Sequence, residues 1–165
     1  MGLSVIITAG GIGKRMQSDL PKQFLTISGK PVLQWTIERF YDFDNNAQLL
    51  LTLPEDWIEY WEKLCDDHNF TIPHKVVAGG KERYHSIKNA LNFVEGNVVL
   101  VHDGVRPLVD DKVISSVAHA AQQGKNCVPA VPVTSSLRKG GVEQSEAVDR
   151  SLYWEVQTPQ GFPRS

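Results

Sequence analysis

Unbroken apolar runs, alternating with segments of helical period, constrain this chain more than any other feature. The runs are LSVIIT (3–8), AQLLLTL (47–53), HKVVA (74–78), VVLV (98–101) and CVPAV (127–131). A run without polar alternation has two faces to bury, which suits a strand in a parallel sheet covered by helices. Pro129 weakens the last run, because proline cannot donate to a ladder. Between the runs, Val32, Leu33, Thr36, Ile37 and Phe40 share one helical face, as do Trp57, Ile58, Trp61, Leu64 and Cys65. Ile87, Ala90, Leu91 and Val94 repeat the pattern, and so do Val113, Ile114, Val117, Ala118 and Ala121. Asp110 or Asp111 stands where a cap for that last helix belongs. The alternation predicts one α/β domain over residues 1–165, with a mainly parallel sheet and helices on both faces.

After Val131 the helical period stops. Val133 to Lys139 and Val142 to Val156 flank Gly140-Gly141, a dipeptide suited to a hairpin turn. The stretch from about 133 to 156 is predicted to protrude from the core as a β-arm that contacts a partner subunit. A plain surface loop is the alternative.

Several classes are excluded. The net charge of -2 supplies no basic field for nucleic acid, so any anion site must be a local cluster. Cys65 and Cys127 are far apart and form neither a disulfide framework nor a zinc knuckle. No apolar run approaches a membrane span, and no basic segment precedes Leu3–Ile7, so the expected compartment is the cytoplasm.

In parallel sheets ligands sit beyond the carboxyl ends of the strands. Three motifs fall there. TAGGIGKRMQSDLPKQF (8–24) follows the first run. Its Gly10, Gly11 and Gly13 permit positive φ and a close approach of backbone N–H groups to an anion. Lys14, Arg15 and Lys22 add three cations. The loop is not a phosphate-binding Walker loop, because Thr8 and Arg15 stand at its first Gly and its Ser/Thr positions. It is not the dinucleotide fingerprint either, since Met16 replaces the third Gly. The plainer reading is a turn with solvated cations. VHDGVRP (101–107) places Asp103 past a buried strand, where a carboxylate can hold Mg²⁺, cap a helix or pair with Arg106. AGGKERYHS (78–86) puts Gly79-Gly80 before a helix that starts with Arg83 and Ser86, a turn able to reach a flat base edge or simply to turn. His102 has no partner at metal-ligand spacing and is expected to be structural. Cys65, His68 and His74 are expected to be a core cysteine and two surface histidines, and Trp57 and Trp61 core or interface anchors.

The segments AGGIGKRM, LPKQF, GKPVLQWTIERF, AGGKERYHSI, VLVHDGVRP, VPVTSSLRK, VDR and QTPQGF stand in order along nearly the whole chain. In this combination the chain resembles the 2-C-methyl-D-erythritol 4-phosphate cytidylyltransferases of the non-mevalonate isoprenoid pathway. Ribitol-5-phosphate cytidylyltransferases are near relatives, and the residues do not separate the two. The resemblance implies a Rossmann-like core, CTP with Mg²⁺ or another divalent cation, a sugar-alcohol phosphate as second substrate, and a homodimer joined through the arm. It assigns Arg15 and Lys22 to the triphosphate and the reacting phosphorus. Ala9, Gly10, Gly11 and Gly13 would line the nucleotide, while Gly80 and Ser86 would hold cytosine and ribose. Asp103 would coordinate the metal, with Arg106 supporting its loop. Ser136, Arg150 and Thr158 would bind the second substrate.

Two departures are small: Gly10 stands where relatives often carry Ala, and Gly104-Val105 replaces a more usual Ala pair. A third concerns the end. Members of the family continue for several dozen residues past QTPQGF and bring a further lysine to the phosphates, whereas this chain ends at Ser165. A C-terminally truncated domain, a nucleotide-binding or dimerising piece of low turnover, is therefore the expected alternative to a fully active enzyme.

Overall fold

The computed structural model describes residues 2–11 and 20–164. In chain order it contains β1 (Leu3–Thr8), a small hairpin of β2 (Thr26–Ile27) and β3 (Lys30–Pro31), α1 (Val32–Phe43), β4 (Gln48–Leu53), α2 (Ile58–Asp67), β5 (Lys75–Ala78), α3 (Arg83–Leu91), β6 (Val98–Asp103) and α4 (Asp111–Gln122). Five short strands follow: β7 (Ala130–Pro132), β8 (Leu137–Gly140), β9 (Ser145–Val148), β10 (Trp154–Val156) and β11 (Gln160–Pro163). The central sheet has the order β11-β6-β1-β4-β5. Strands β6, β1, β4 and β5 run parallel, and β11 adds antiparallel at the β6 edge. Both faces of the sheet are covered, as the unbroken apolar runs require.

The period of two in each run sorts its residues between two cores. Val5, Ile7, Leu49, Leu51, Leu53, Val98 and Leu100 pack beneath α1, α2 and α4 with Leu33, Ile37, Trp61 and Ile114. Ile6, Leu50, Val99 and Val101 point the other way, to Ala90 of α3 and to Val94. Asp110 is the cap of α4: its carboxylate accepts from the Lys112 N–H.

Three expectations need correction. CVPAV does not join the central sheet. Cys127 makes only an isolated bridge to Gly161, and Ala130–Pro132 pairs with β10 in a separate two-stranded ribbon. The sheet takes β11 as its fifth member instead, a strand whose glycine and proline disguise it in the sequence. Leu91, placed on the buried face of α3 by its spacing, is 47% exposed, and Val94 is buried although it lies past the helix end. Between Arg83 and Leu91 the helix is too short to carry the apolar stripe to Val94, so the following turn carries it.

The arm region forms two antiparallel ribbons, β7 with β10 and β8 with β9. In the second, Gly140 has φ 126° and the Gly141 N–H donates to Gln144 O at 3.0 Å, so the turn spans 141–144.

Gly161 lets β11 lie against α4. A Cβ there would meet Val117 Cγ1 at 2.5 Å and Val117 O at 2.9 Å. Gly161→Ala is expected to destabilise the fold by about 1–3 kcal/mol, the usual cost of overpacking. Urea unfolding at neutral pH measures it, and an unchanged midpoint would contradict this account of the edge.

Candidate active site

The chain winds outward from β1 to β4 and β5, then crosses back to place β6 on the other side of β1. A crevice opens beyond the carboxyl ends of strands at such a switch point. Here it is a cavity of about 330 Å³ lined by Ala9, Gly10, Gly11, Lys22, Gly80, Arg83, Ser86 and Asp103, among others. All three glycine or carboxylate motifs thus meet at one place. Gly13 and Arg15 lie outside the described residues. Ser136 and Arg150 are exposed in the arm and do not line the cavity. Thr158 sits behind Asp103, next to the crevice wall.

Lys22 reaches the crevice because its neighbours are held in the core. Gln23 is buried and donates to Ala9 O at 2.8 Å, tying the Lys22–Phe24 turn to the end of β1. Phe24 is buried among Trp57, Tyr60 and Trp61, with ring centroids 5.4, 5.1 and 6.4 Å away. Trp57 and Trp61 are therefore core anchors. With Gln23 and Phe24 directed inward, the exposed Lys22 faces the cavity.

The glycines act by size rather than by φ. Neither Gly10 nor Gly11 is among the positive-φ residues, which corrects that expectation. Among the described residues, a Cβ on Gly11 would meet nothing within 4 Å, and one on Gly10 only Ser86 Oγ at 3.9 Å. What they leave is room above the crevice floor. Gly80 is different, because a Cβ there would collide with His85 Cβ. Its N–H donates to the buried Ser86 Oγ at 3.0 Å, so the turn is folded onto the start of α3.

Asp103 is fixed by contacts that the sequence hides. Its register opposite Thr8 sets its height, and Gly104 N–H donates to Thr8 O at 2.9 Å. Thr36 of α1 donates to Gly104 O at 2.8 Å. His102 is fully buried, with Phe40 edge-on at 4.8 Å. Its Nε2 lies 2.9 Å from Arg106 O and its Nδ1 lies 3.0 Å from Thr158 Oγ1. A carbonyl can only accept, so Nε2 carries the proton, and Nδ1 accepts from the Thr158 hydroxyl. That hydroxyl then accepts from the Asp103 N–H at 3.4 Å. His102 is structural, as expected, and it also aligns the Asp103 loop. The carboxylate itself is bracketed: Arg106 Nε stands 3.0 Å from Oδ2 and Arg83 Nη2 stands 3.2 Å from Oδ1.

The donor set decides which metal this crevice suits. Among the described residues no group of three or more His, Cys, Asp or Glu side chains gathers. Mg²⁺ is held by one or two carboxylates plus substrate phosphates and keeps waters. Asp103 fits such an ion in the company of a polyphosphate, and does not fit an all-protein cage. His74 departs from expectation: it is half-buried, with Nε2 2.9 Å from Trp61 Nε1, so it belongs to the α2 packing and not to the surface. Cys65 is half-buried, and burial pushes its thiol up to about 11, so it stays protonated.

The family model for 2-C-methyl-D-erythritol 4-phosphate cytidylyltransferase (IspD) matches residues 3–165. The chain belongs to this family. A 2-C-methyl-D-erythritol 4-phosphate cytidylyltransferase from Bacteroides thetaiotaomicron is 48% identical over 163 residues, which are 98% of this chain and 74% of that protein. The enzyme of the same name from Phocaeicola vulgatus is 46% identical, with the same coverage of 98% and 74%. Among solved structures, the crystal structure of 2-C-methyl-D-erythritol 4-phosphate cytidylyltransferase from Thermus thermophilus superposes with a TM-score of 0.73 at 32% identity, covering 98% of this chain and 70% of that one. The chain is accordingly an enzyme, a nucleotidyltransferase with a mostly parallel α/β core.

Burial lowers the His102 pKa from 6.5 to about 4. The unfolded chain takes up this proton below 6.5 and the folded chain only below about 4, so stability is full above 6.5 and drains as pH falls through that window. Roughly 3 kcal/mol is at stake. His74, also lowered by burial, adds to the slope. In urea unfolding across this range, His102→Gln, which keeps a donor for Arg106 O, is expected to lose less stability than the unsubstituted chain. Parallel slopes would contradict the assignment.

Proposed function

We propose that the crevice binds CTP and that the enzyme transfers its cytidylyl group to the phosphate of 2-C-methyl-D-erythritol 4-phosphate, releasing pyrophosphate. The meeting of Lys22, Asp103 and the two glycine turns at one switch-point cavity carries this reading, in a chain of this family. A phosphate oxygen of the second substrate attacks the α-phosphorus in line, and the bond to pyrophosphate breaks. Two anions must approach, so charge neutralisation and positioning supply most of the catalysis. Lys22 and Arg15 do this from the first loop. Gly10 and Gly11 give the nucleotide room, and the Gly80–Ser86 turn receives the base and ribose. Asp103 would hold Mg²⁺, which when bound neutralises charge on the polyphosphate. The attacking phosphate is an anion near neutral pH, so no general base is needed. That agrees with His102, whose two ring nitrogens are both engaged.

The second substrate is assigned to Ser136, Arg150 and Thr158. Arg150 now donates through Nη1 to Thr134 O, and the one hydroxyl hydrogen of Thr158 goes to His102. To donate to phosphate, Thr158 would give up that bond. The arm supports a homodimer on physical grounds. All six residues of the β7–β10 ribbon are exposed, and Leu152, Trp154 and Val156 are 77%, 62% and 51% accessible. A two-stranded ribbon exposed on both faces is marginal in water, and a second copy would cover it. The cytoplasm suits two unpaired thiols, Cys65 and Cys127. No helix among the described residues is long and apolar enough to cross a membrane.

Pyrophosphate release with CTP is expected to be faster with methylerythritol phosphate than with ribitol 5-phosphate, and the reverse order would move the assignment to the latter. Lys22→Ala and Arg15→Ala are each expected to lower kcat by about 10²–10³-fold, with a smaller change in KM for the second substrate. Near-normal turnover would remove them from the phosphate site. Trp154→Lys is expected to shift the chain from dimer to monomer in sedimentation velocity, and an unchanged dimer would place the interface elsewhere.

A further inference from the structure

The two guanidiniums on Asp103 are not held alike. Arg106 is anchored at several points. Its Nη1 donates to Gln157 Oε1 at 2.9 Å, its N–H to Asp103 O at 3.1 Å, and its carbonyl accepts from His102. It faces a second, apolar groove with Val109, Val113 and Ala130, away from the crevice. Arg83 lines the crevice itself and is 44% exposed along its side chain. Among the described residues its polar side-chain partner is Asp103, through one contact at 3.2 Å, longer than the Arg106 contact at 3.0 Å. The oxygen it takes, Oδ1, is the one not bonded by Arg106.

A guanidinium on Oδ1 competes with a metal cation there, because it repels the ion and takes up one of the oxygen's lone pairs. The geometry points to Arg83 as a stand-in cation: it neutralises Asp103 in the ligand-free crevice, releases Oδ1 when a divalent cation arrives, and turns its charge to the polyphosphate in the same cavity. This rests on the cytidylyltransferase reading and assigns a residue that neither the motif spacing nor the resemblance had given a task. Arg83 is first a positioning residue for Asp103 and then a ligand of the nucleotide. The exchange leaves Oδ1 facing a cation at both stages, while Oδ2 keeps Arg106. It also makes metal and nucleotide binding mutually favourable, because the metal frees the side chain that the phosphates need.

The test measures Mn²⁺ binding by electron paramagnetic resonance, with the whole chain and no nucleotide. Arg83→Gln is expected to bind Mn²⁺ about two- to fivefold more tightly than the unsubstituted chain, the size of one partly exposed ion pair. Arg83→Lys should fall between them, and Asp103→Asn should abolish this binding. A purely structural role for Arg83 would weaken Mn²⁺ binding, not strengthen it. With Mn²⁺ saturating, CTP should bind Arg83→Gln more weakly than the unsubstituted chain. Equal or weaker Mn²⁺ binding by Arg83→Gln, with Asp103→Asn still abolishing it, overturns the exchange and leaves the cytidylyl reading standing. CTP affinity unchanged in Arg83→Gln overturns the transfer to phosphate. Mn²⁺ binding that survives Asp103→Asn overturns both the exchange and the metal role of Asp103.

Discussion

The pairing of β1 with β6 is the contact on which the rest of the molecule depends. It is the place where the strand order reverses, and its register sets Thr8 opposite Asp103. From that alignment follow the crevice between the strand ends, the approach of Gly104 to Thr8, and the position of the carboxylate across from the first glycine loop. A shift of one residue would turn Val99 and Val101 toward the wrong core and carry Asp103 off the crevice rim. The alternating apolar residues of β6 therefore fix the place of Asp103 at the crevice as well as the fold.

Around this pairing the site is built by burying the neighbours of each functional group. Gln23 and Phe24 are committed to the interior, which leaves Lys22 facing the cavity. His102 is committed to Arg106 O and Thr158, which leaves Asp103 at the strand end with its backbone satisfied. Lys22 is placed by its neighbours alone, whereas the Asp103 carboxylate is also held by Arg83 and Arg106. That is how an exposed charge can be placed accurately without an entropy cost spread over a long flexible arm.

Much of this was legible in the sequence. Among the described residues, four of the five sheet strands, the four α-helices and the three loops at the crevice follow from apolar period and from the rule about strand ends. The fifth strand did not show, because QGFP is four residues long and half glycine and proline, and only its fit beneath α4 makes it a strand. CVPAV looked like a core strand because composition does not reveal that Pro129 diverts the chain into a ribbon. What escaped notice are contacts between distant segments: Gln23 to Ala9 O, Thr36 to Gly104 O and Arg83 to Asp103. Such contacts leave no periodic mark. The roles of Ser136 and Arg150 came from resemblance alone, since nothing about an exposed serine or arginine in an arm announces a phosphate.

The lateness of Thr158 in the chain has a consequence for how the enzyme becomes competent. Every described residue that lines the crevice is encoded by position 106, yet the Asp103 N–H and the His102 ring await a hydroxyl 55 and 56 positions later. That hydroxyl arrives only with β11, whose docking closes the edge of the sheet. Without that docking the crevice would keep its charges, while the Asp103 N–H and the His102 ring would lose the hydroxyl that joins them. Any ligand that prefers the aligned form stabilises the docked edge strand by mass action, and the nucleotide becomes a participant in finishing the fold that binds it.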